Sequence, residues 1–208
     1  SILPSNECWS KETHLLALDV ADDESYAEGF TLVTMISETK YLLVQAMLTN
    51  GGFGDENPAC RILFVDKQKK KKINEVERGG SWSYHASSKT LNIGTCMIQN
   101  IGNKKLNWKA KTEELELDIQ IQGTQKKLFT KSLQVKIPNS EHHYKNEILI
   151  SNGKVKGWVK GTKLVKTNIT GHSFLNHTRS TTLPPELAKR WFKLYTFDTT
   201  GTQTPVIL

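Results

Sequence analysis

The chain has 208 residues, of which 37% are hydrophobic and 24% are charged. This balance is typical of a globular protein and excludes a disordered chain, which carries too little apolar sequence to fold. The longest apolar run, residues 41–48, is interrupted by Gln45. A membrane-spanning helix needs roughly 20 apolar residues, so none is predicted. The net charge of +7 favours solubility and weak attraction to anionic surfaces, but it does not indicate a fold.

Cysteine usage is the first guide to the compartment. Cys8, Cys60 and Cys96 lie far apart and form no C-x-x-C pair, so neither a zinc ribbon nor a redox motif is predicted. An odd number of cysteines fits a reducing compartment better than a disulfide framework. Two N-glycosylation triplets begin at Asn168 and Asn176, but such triplets are common by chance. We therefore expect an intracellular protein, either cytoplasmic or peripherally associated with a membrane.

Alternation of apolar and polar residues predicts β-strands along most of the chain. The first two, residues 30–36 and 41–48, are joined by residues 37–40, which suit a tight hairpin. Residues 114–122 alternate without a fault, so four aliphatic side chains share one face and acidic and amide side chains share the other. The other predicted strands are residues 60–66, 81–84, 91–94, 106–109, 133–137, 147–150, 155–160, 163–169 and 190–197.

Turn signals separate these strands and decide the fold class. Asn152-Gly153 predicts a hairpin turn, because both residues tolerate positive φ, and the glycine-rich residues 51–54 predict another. A helix signal occurs at residues 184–190, with Pro and Glu in the first turn and basic residues at the end. Many short strands predict an all-β antiparallel barrel, which we favour over a sandwich because closure removes exposed edges. Residues 1–208 are interpreted as a single barrel domain.

The lysine run at residues 67–72 has two interpretations. A charge run is most often a solvated hairpin tip, and the alternative is contact with an anionic membrane. Nucleic acid is not expected, because no aromatic residues alternate with the lysines to stack on bases. The lysines concerned are Lys67, Lys69, Lys70, Lys71 and Lys72.

Three catalytic or cofactor motifs are incomplete. Residues 171–175 begin like the G-x-S-x-G nucleophile elbow but end in Leu175, where the sharp turn needs a small residue. His172 and His177 lie five apart, on opposite faces of a strand, which does not suit a shared metal ion. The glycine-rich residues 50–55 lack dinucleotide-binding spacing. We therefore predict no catalytic set, no metal and no cofactor.

Two segments resemble a known family. Residues 50–55 followed by residues 80–84 resemble the N-x-G-x-G-D … W-s-Y run of the AttH-like and hydroxyneurosporene-synthase-like lipocalin superfamily. Residues 171–177 with Pro184, Ala188 and Trp191 resemble its G … H … P … A … RW block, and the fungal survival factor family has similar spacing.

The resemblance implies a lipocalin-like (calycin) barrel that is the N-terminal half of a tandem-barrel protein. It also implies an apolar ligand: survival factors carry ceramide between membranes, and carotenoid hydratases of the superfamily add water to a polyene. The bacterial enzymes often have Asp before the matched His, whereas this chain has Asn176. Because an amide cannot donate a proton near neutral pH, this departure favours binding over catalysis.

We therefore expect a carrier of a lipid or isoprenoid, with His177 and Arg179 holding the polar end of the ligand at the barrel mouth. One alternative is a hydratase or cyclase whose proton donor is Glu28, Asp55 or His177. Another is a structural subunit whose barrel is filled by its own side chains. Further partners would be a second barrel or another protein. The predicted ligand-binding residues are Trp82, Tyr84, His172, Asn176, His177, Arg179, Trp191 and Tyr195.

Overall fold

The computed structural model describes residues 15–51, 54–124, 132–137 and 139–182. Within these ranges all regular structure is β-strand and no helix occurs, which confirms the all-β prediction. The strands are β1 Ala27–Ser37, β2 Lys40–Thr49, β3 Asn57–Asp66, β4 Lys71–Arg78, β5 Trp82–His85, β6 Thr90–Ile93, β7 Cys96–Gly102, β8 Lys105–Lys111, β9 Leu115–Gly123, β10 Ser132–Lys136, β11 His143–Gly161 and β12 Leu164–Ser180.

The strands form one antiparallel sheet that curls back on itself. Their order is β4-β3-β2-β1-β12-β11-β9-β8-β7-β6-β5, and β10 pairs with β11 beside this path. The two outermost strands, β4 and β5, are nevertheless consecutive in the chain, because β4 ends at Arg78 and β5 begins at Trp82. Four Cα–Cα steps of 3.8 Å span at most about 15 Å, so the two edges of the sheet must lie close together. Among the strands that the structure describes, the sheet is therefore a barrel with one unpaired seam, between β4 and β5.

Two cross-links hold the seam. A disulfide joins Cys60 on β3 to Cys96 on β7. The indole N–H of Trp82 donates to the carboxylate of Glu56 at 2.6 Å. The cysteine count had favoured a reducing compartment over a disulfide framework, and the Cys60–Cys96 pair contradicts the structural part of that inference. The count could not show that two cysteines 36 residues apart lie on facing strands.

Alternate residues of each strand fill the barrel. On β9 the four aliphatic residues predicted to share a face, Leu115 to Ile121, are all buried, as the alternation indicated. Large side chains from facing strands complete the interior, and Trp108, Phe30 and Phe64 are each less than 2% exposed. A side chain with no accessible surface has no water-sized void beside it, so this part of the barrel is tightly packed.

The structure corrects several strand predictions. Residues 147–150 and 155–160 belong to one continuous strand, β11, and Asn152-Gly153 lies within it instead of forming a hairpin turn. The register between β11 and β12 shifts on both sides of Ile150, so the turn-forming pair is accommodated as a strand irregularity. Strands β4 and β7 were not predicted. The predicted hairpin between β1 and β2 is confirmed, with Ser37 paired to Lys40.

Some predictions fall outside the described residues. These are the helix at residues 184–190, the strand at residues 190–197, and the side chains of Trp191 and Tyr195. In the described part of the chain, no helix is long and apolar enough to cross a membrane.

Candidate functional site

Pairing of β1 with β12 brings an acidic and a basic segment together on the inner wall of the barrel. In this register Phe30 lies opposite His177, and Glu28 lies opposite Arg179. Because side chains alternate along a strand, His177 and Arg179 share the face of β12 that carries Leu175 into the core. Glu28 shares the corresponding face of β1, so Glu28 and His177 are diagonal neighbours inside the barrel.

His177 is held between two carboxylates. Its Nε2 lies 2.7 Å from Oε1 of Glu28, and its Nδ1 lies 3.6 Å from Oε2 of Glu147. The imidazole also stacks on Phe30, with ring centroids 4.6 Å apart. The His177 side chain is 14% exposed and that of Glu28 only 1%. This arrangement stabilises the doubly protonated ring, because both nitrogens face an acceptor.

Glu28 is the most heavily bonded member of the group. Its Oε2 accepts hydrogen bonds from the Tyr26 hydroxyl at 3.0 Å and from the backbone N–H of Asp19 at 2.9 Å. The Arg179 guanidinium approaches the same oxygen at 3.7 Å and donates to the backbone carbonyl of Asp19 at 2.9 Å. We call Tyr26, Glu28, Glu147, His177 and Arg179 the Glu28–His177 cluster.

Burial and neighbouring charges both shift the pKa values of groups in the cluster. Burial alone lowers the pKa of His177, but interactions with Glu147 and Glu28 outweigh it, so its pKa is raised. The adjacent His177 is the main cause that lowers the pKa of Glu147 to about 2. Burial raises the pKa of Tyr26, and the Glu28 carboxylate adds to that effect. The two carboxylates thus favour the protonated form of the His177 ring, and Glu147 is ionised at neutral pH.

Partly buried apolar side chains surround this end of the barrel. Leu15 and Leu18 pack against the core, and Leu18 immediately precedes Asp19 of the Glu28 network. Trp82 and Tyr84 also pack against the core while keeping part of their surface exposed. Trp82 bonds to the residue just before β3, and that end of β3 lies beside the Ala27 end of β1. The cluster therefore lies at a partly exposed end of the barrel, near Leu18 and Trp82.

The structure brings some of the predicted ligand-binding residues together and separates others. His177 and Arg179 lie in the cluster, and Trp82 and Tyr84 lie on β5 at the same end of the barrel. His172 and Asn176 lie on the opposite face of β12, where the Asn176 side chain donates to Asn146 at 2.5 Å. Both remain predictions as ligand contacts, but they do not share a site with His177.

Sequence reasoning missed Glu147 and Tyr26 and proposed Glu28 only as a proton donor for an enzyme. Residues 147–150 were predicted as a strand. No local sequence pattern indicated that Glu147 would contact His177, which lies on the following strand, β12. In the residues that the structure describes, no group of three or more His, Cys, Asp or Glu side chains could hold a metal ion.

Comparisons with known proteins bear on the fold. No protein-family model matches the chain, and no curated protein matches it in sequence. Among solved structures, it is similar to a Nitrosomonas europaea protein assigned as AttH. The identity is 9% and the TM-score 0.56, over 82% of this chain and 58% of that one. It is also similar to kievitone hydratase from Nectria haematococca, at 14% identity and a TM-score of 0.50, over 82% and 54% of the two chains.

The chain folds as a lipocalin-like barrel. The AttH-like part of the resemblance is thereby supported at the level of fold, whereas the likeness to fungal survival factors remains a prediction. The lipocalin-like barrel described above spans little more than half the length of either structure. At these identities the comparison establishes the fold alone and does not transfer an activity.

Proposed function

We propose that the lipocalin-like barrel binds a small ligand with an apolar body and a polar end at the Glu28–His177 mouth. The observation that carries the proposal is the charged cluster on the inner wall of an otherwise apolar barrel. Burying ionised groups is costly, and replacing such a network with packed apolar residues is often neutral or stabilising. A partly open, charged cluster at a barrel end is therefore better explained by ligand recognition than by stability.

The geometry limits where the ligand lies and what its polar end contains. Because the deeper interior is packed, the apolar body would rest against Leu18, Trp82 and Tyr84 near the mouth. The accessible polar groups include Arg179, 18% exposed, and Glu147, 24% exposed, and Glu147 is also paired with the Lys145 ammonium at 2.9 Å. Arg179 donates hydrogen bonds and Glu147 accepts them, so a neutral hydroxyl or amide that does both would fit. A lipid such as ceramide or an isoprenoid alcohol meets this requirement.

Native mass spectrometry of protein purified without detergent, followed by organic extraction, tests the proposal. A stoichiometric lipid or isoprenoid would identify the ligand class. Fluorescent ceramide titrated into Arg179→Ala should bind roughly ten- to a hundredfold more weakly, since a hydrogen bond to a charged group contributes roughly 1.5–3 kcal/mol. Arg61→Ala, which removes an arginine from β3 that bonds Asn74 and Gln45, is the matched control. An empty protein that takes up no probe would instead favour the structural, filled-barrel subunit.

A hydratase is the second candidate, and the position of His177 between two carboxylates, which raises its pKa, favours it. An imidazolium beside an ionised Glu147 provides an acid and a base within one cluster. His177 would protonate one carbon of a substrate alkene, water would add to the resulting cation, and Glu147 would accept the proton that the water loses. Mass spectrometry after incubation with kievitone or other prenylated phenols would detect the added water. Turnover that persists in His177→Ala would contradict this role.

We also propose that the barrel is the N-terminal member of a tandem pair, since the two similar structures are nearly twice as long as the matched region. A cytoplasmic or membrane-peripheral location remains part of this proposal, and the disulfide is the observation that opposes it.

A further inference from the structure

Two hairpin tips meet at the barrel end opposite the Glu28–His177 cluster. The cluster lies where Ala27 of β1 pairs with Ser180, whereas the other end of β1 leads to Lys40 and Asp66. There the β3–β4 tip, residues 67–70, projects from the sheet. The ammonium group of Lys71 donates to the backbone carbonyl of Lys163 in the β11–β12 tip. The two tips therefore form one continuous surface, which we call the basic end.

The basic end carries positive charge without matching carboxylates. Lys67, Lys69, Lys70 and Lys72 are exposed, and none of them forms an ion pair with any described residue. The nearest acid, Asp66, is occupied by the Lys40 ammonium at 3.4 Å and by the backbone N–H of Lys69.

Five further acids flank this end. Glu114 is paired with Lys163 at 2.6 Å and Glu116 with Lys160 at 3.1 Å, and Glu38, Glu75 and Glu113 lie on the neighbouring turns and strand. The lysines of this end outnumber the acids, so the end remains positive.

An exposed apolar side chain lies among these cations. Val165 is 87% exposed, although it occupies a strand whose other aliphatic residues are mostly buried. Lys163 and Lys166 flank it, and the Lys166 ammonium lies 4.8 Å from the centre of the Trp158 ring. A single exposed valine is ordinary on a protein surface, but one placed between lysines at the tip of a protruding hairpin has the composition of a membrane-contact site.

We propose that the basic end docks the barrel on an anionic lipid bilayer. The lysines of both tips would contact lipid phosphates, and Val165 would enter the headgroup region. An anionic bilayer fits better than a nucleic acid, because it attracts the lysines and also accommodates the apolar side chain of Val165. The lysine tip also carries no aromatic residue on which bases would stack. The surface lies at the opposite end from the ligand site, so the two proposals stand or fall separately.

Sedimentation of the protein with vesicles of phosphatidylcholine and phosphatidylserine tests this inference. Binding should require phosphatidylserine and should fall as salt is raised. Replacing Lys67, Lys69, Lys70 and Lys72 with Gln should weaken binding about a thousandfold, since each lysine near an anionic membrane contributes roughly 1 kcal/mol. The matched control replaces four exposed lysines elsewhere, Lys105, Lys136, Lys154 and Lys156, and changes the net charge equally.

The single variant Val165→Ser separates a bilayer from a soluble polyanion. It should weaken vesicle binding several-fold while leaving the affinity for heparin or a single-stranded oligonucleotide unchanged. The proposal is overturned if the protein ignores phosphatidylserine vesicles, or if both quadruple variants lose binding equally. It is also overturned if the oligonucleotide binds more tightly than the vesicles and Val165→Ser changes neither. Circular dichroism of each variant checks that the barrel is intact.

Discussion

At the scale of single residues, the Glu28–His177 contact is the least expected feature of the barrel. The two residues are 149 positions apart, and only the β1–β12 register makes them neighbours. Their charges are satisfied by Tyr26, the backbone of Asp19, Arg179 and Glu147. Such complete pairing offsets the cost of burying polar groups at 1% exposure.

The cluster should make stability depend on pH in both directions. The pKa of His177 is raised above 6.5, so its contribution is complete below pH 6.5 and is lost as the pH rises through the folded-state value. The pKa of Glu147 falls from 4.5 to about 2, so its contribution is complete above pH 4.5 and is lost as the pH falls towards 2. The free energy of unfolding contributed by this pair should therefore be greatest between pH 4.5 and 6.5.

Urea unfolding of His177→Gln across the same pH range checks this expectation. The variant should lose on the order of 3 kcal/mol near the optimum, because breaking one partner of a buried ion pair strands the other. It should also lose the decline in stability on the alkaline side of the optimum. His85→Gln removes an exposed histidine on β5 and should change neither quantity. Equal pH profiles for the two variants would contradict the assignment of the pH dependence to the cluster.

The sequence predicts only the part of the site that lies on one strand. His177 and Arg179 were predicted at a barrel mouth from the resemblance, and the structure places both on the inner wall at one end of the barrel. Their partner Glu147 was not predicted, because the contact depends on which strands pair. His172 and Asn176 were grouped with His177, although strand alternation turns both to the other face.

At the scale of elements, β11 shows how tertiary pairing overrides a local turn signal. Asn152-Gly153 has the composition of a two-residue hairpin, yet Gly153 pairs with Gly123 on one side and Ser173 on the other. Backbone hydrogen-bond ladders on both sides of a strand outweigh the intrinsic turn preference of two residues. The missed strand β4 has the opposite cause. It is an edge strand with Ile73 as its one buried apolar residue, so its alternation is faint in the sequence.

Gly157, in the C-terminal part of β11, is required by the close approach of β9. Its φ of 149° lies in a region that other residues rarely adopt. A Cβ at this position would collide with the carbonyl oxygen of Asp118 and lie 2.7 Å from Cα of Ile119. Gly157→Ala should therefore destabilise the protein by more than about 2 kcal/mol, as measured by urea unfolding.

Gly51→Ala is the control for that substitution. Gly51 is exposed, and its nearest neighbour would be a movable side-chain oxygen of Thr49 at 3.3 Å. A surface change of this kind should stay within about 0.5 kcal/mol of the parent protein. If both variants unfold at the same urea concentration, the close packing of β9 on β11 is not needed for stability.

At the scale of the whole molecule, the Cys60–Cys96 disulfide closes a loop of 36 residues. In the chain-entropy account, a cross-link of this span stabilises the folded state by about 4 kcal/mol. Urea unfolding with and without a phosphine reductant should show a loss of this order. The double variant Cys60→Ala, Cys96→Ala should not respond to the reductant, and a response would implicate another thiol.

The fold class was predictable because the period-two pattern repeats in strand after strand and each repetition is local. Closure of the barrel was expected on the general ground that edges are avoided, and the described strands leave one seam unpaired between β4 and β5. The disulfide across that seam depends on curvature, which no local pattern encodes.

The short corner of Gly79, Gly80 and Ser81 also separates strands β1–β4 from strands β5–β12 along the chain. The corner is exposed, and a protease that cut it would separate an N-terminal piece ending in β4 from a C-terminal piece beginning with β5. The two pieces would still share the β1–β12 hydrogen-bond ladder, and the sulfur–sulfur bond would join them covalently. Such a nicked molecule would migrate as one chain in a gel without reductant and as two fragments with it, a property suited to split-protein reporters.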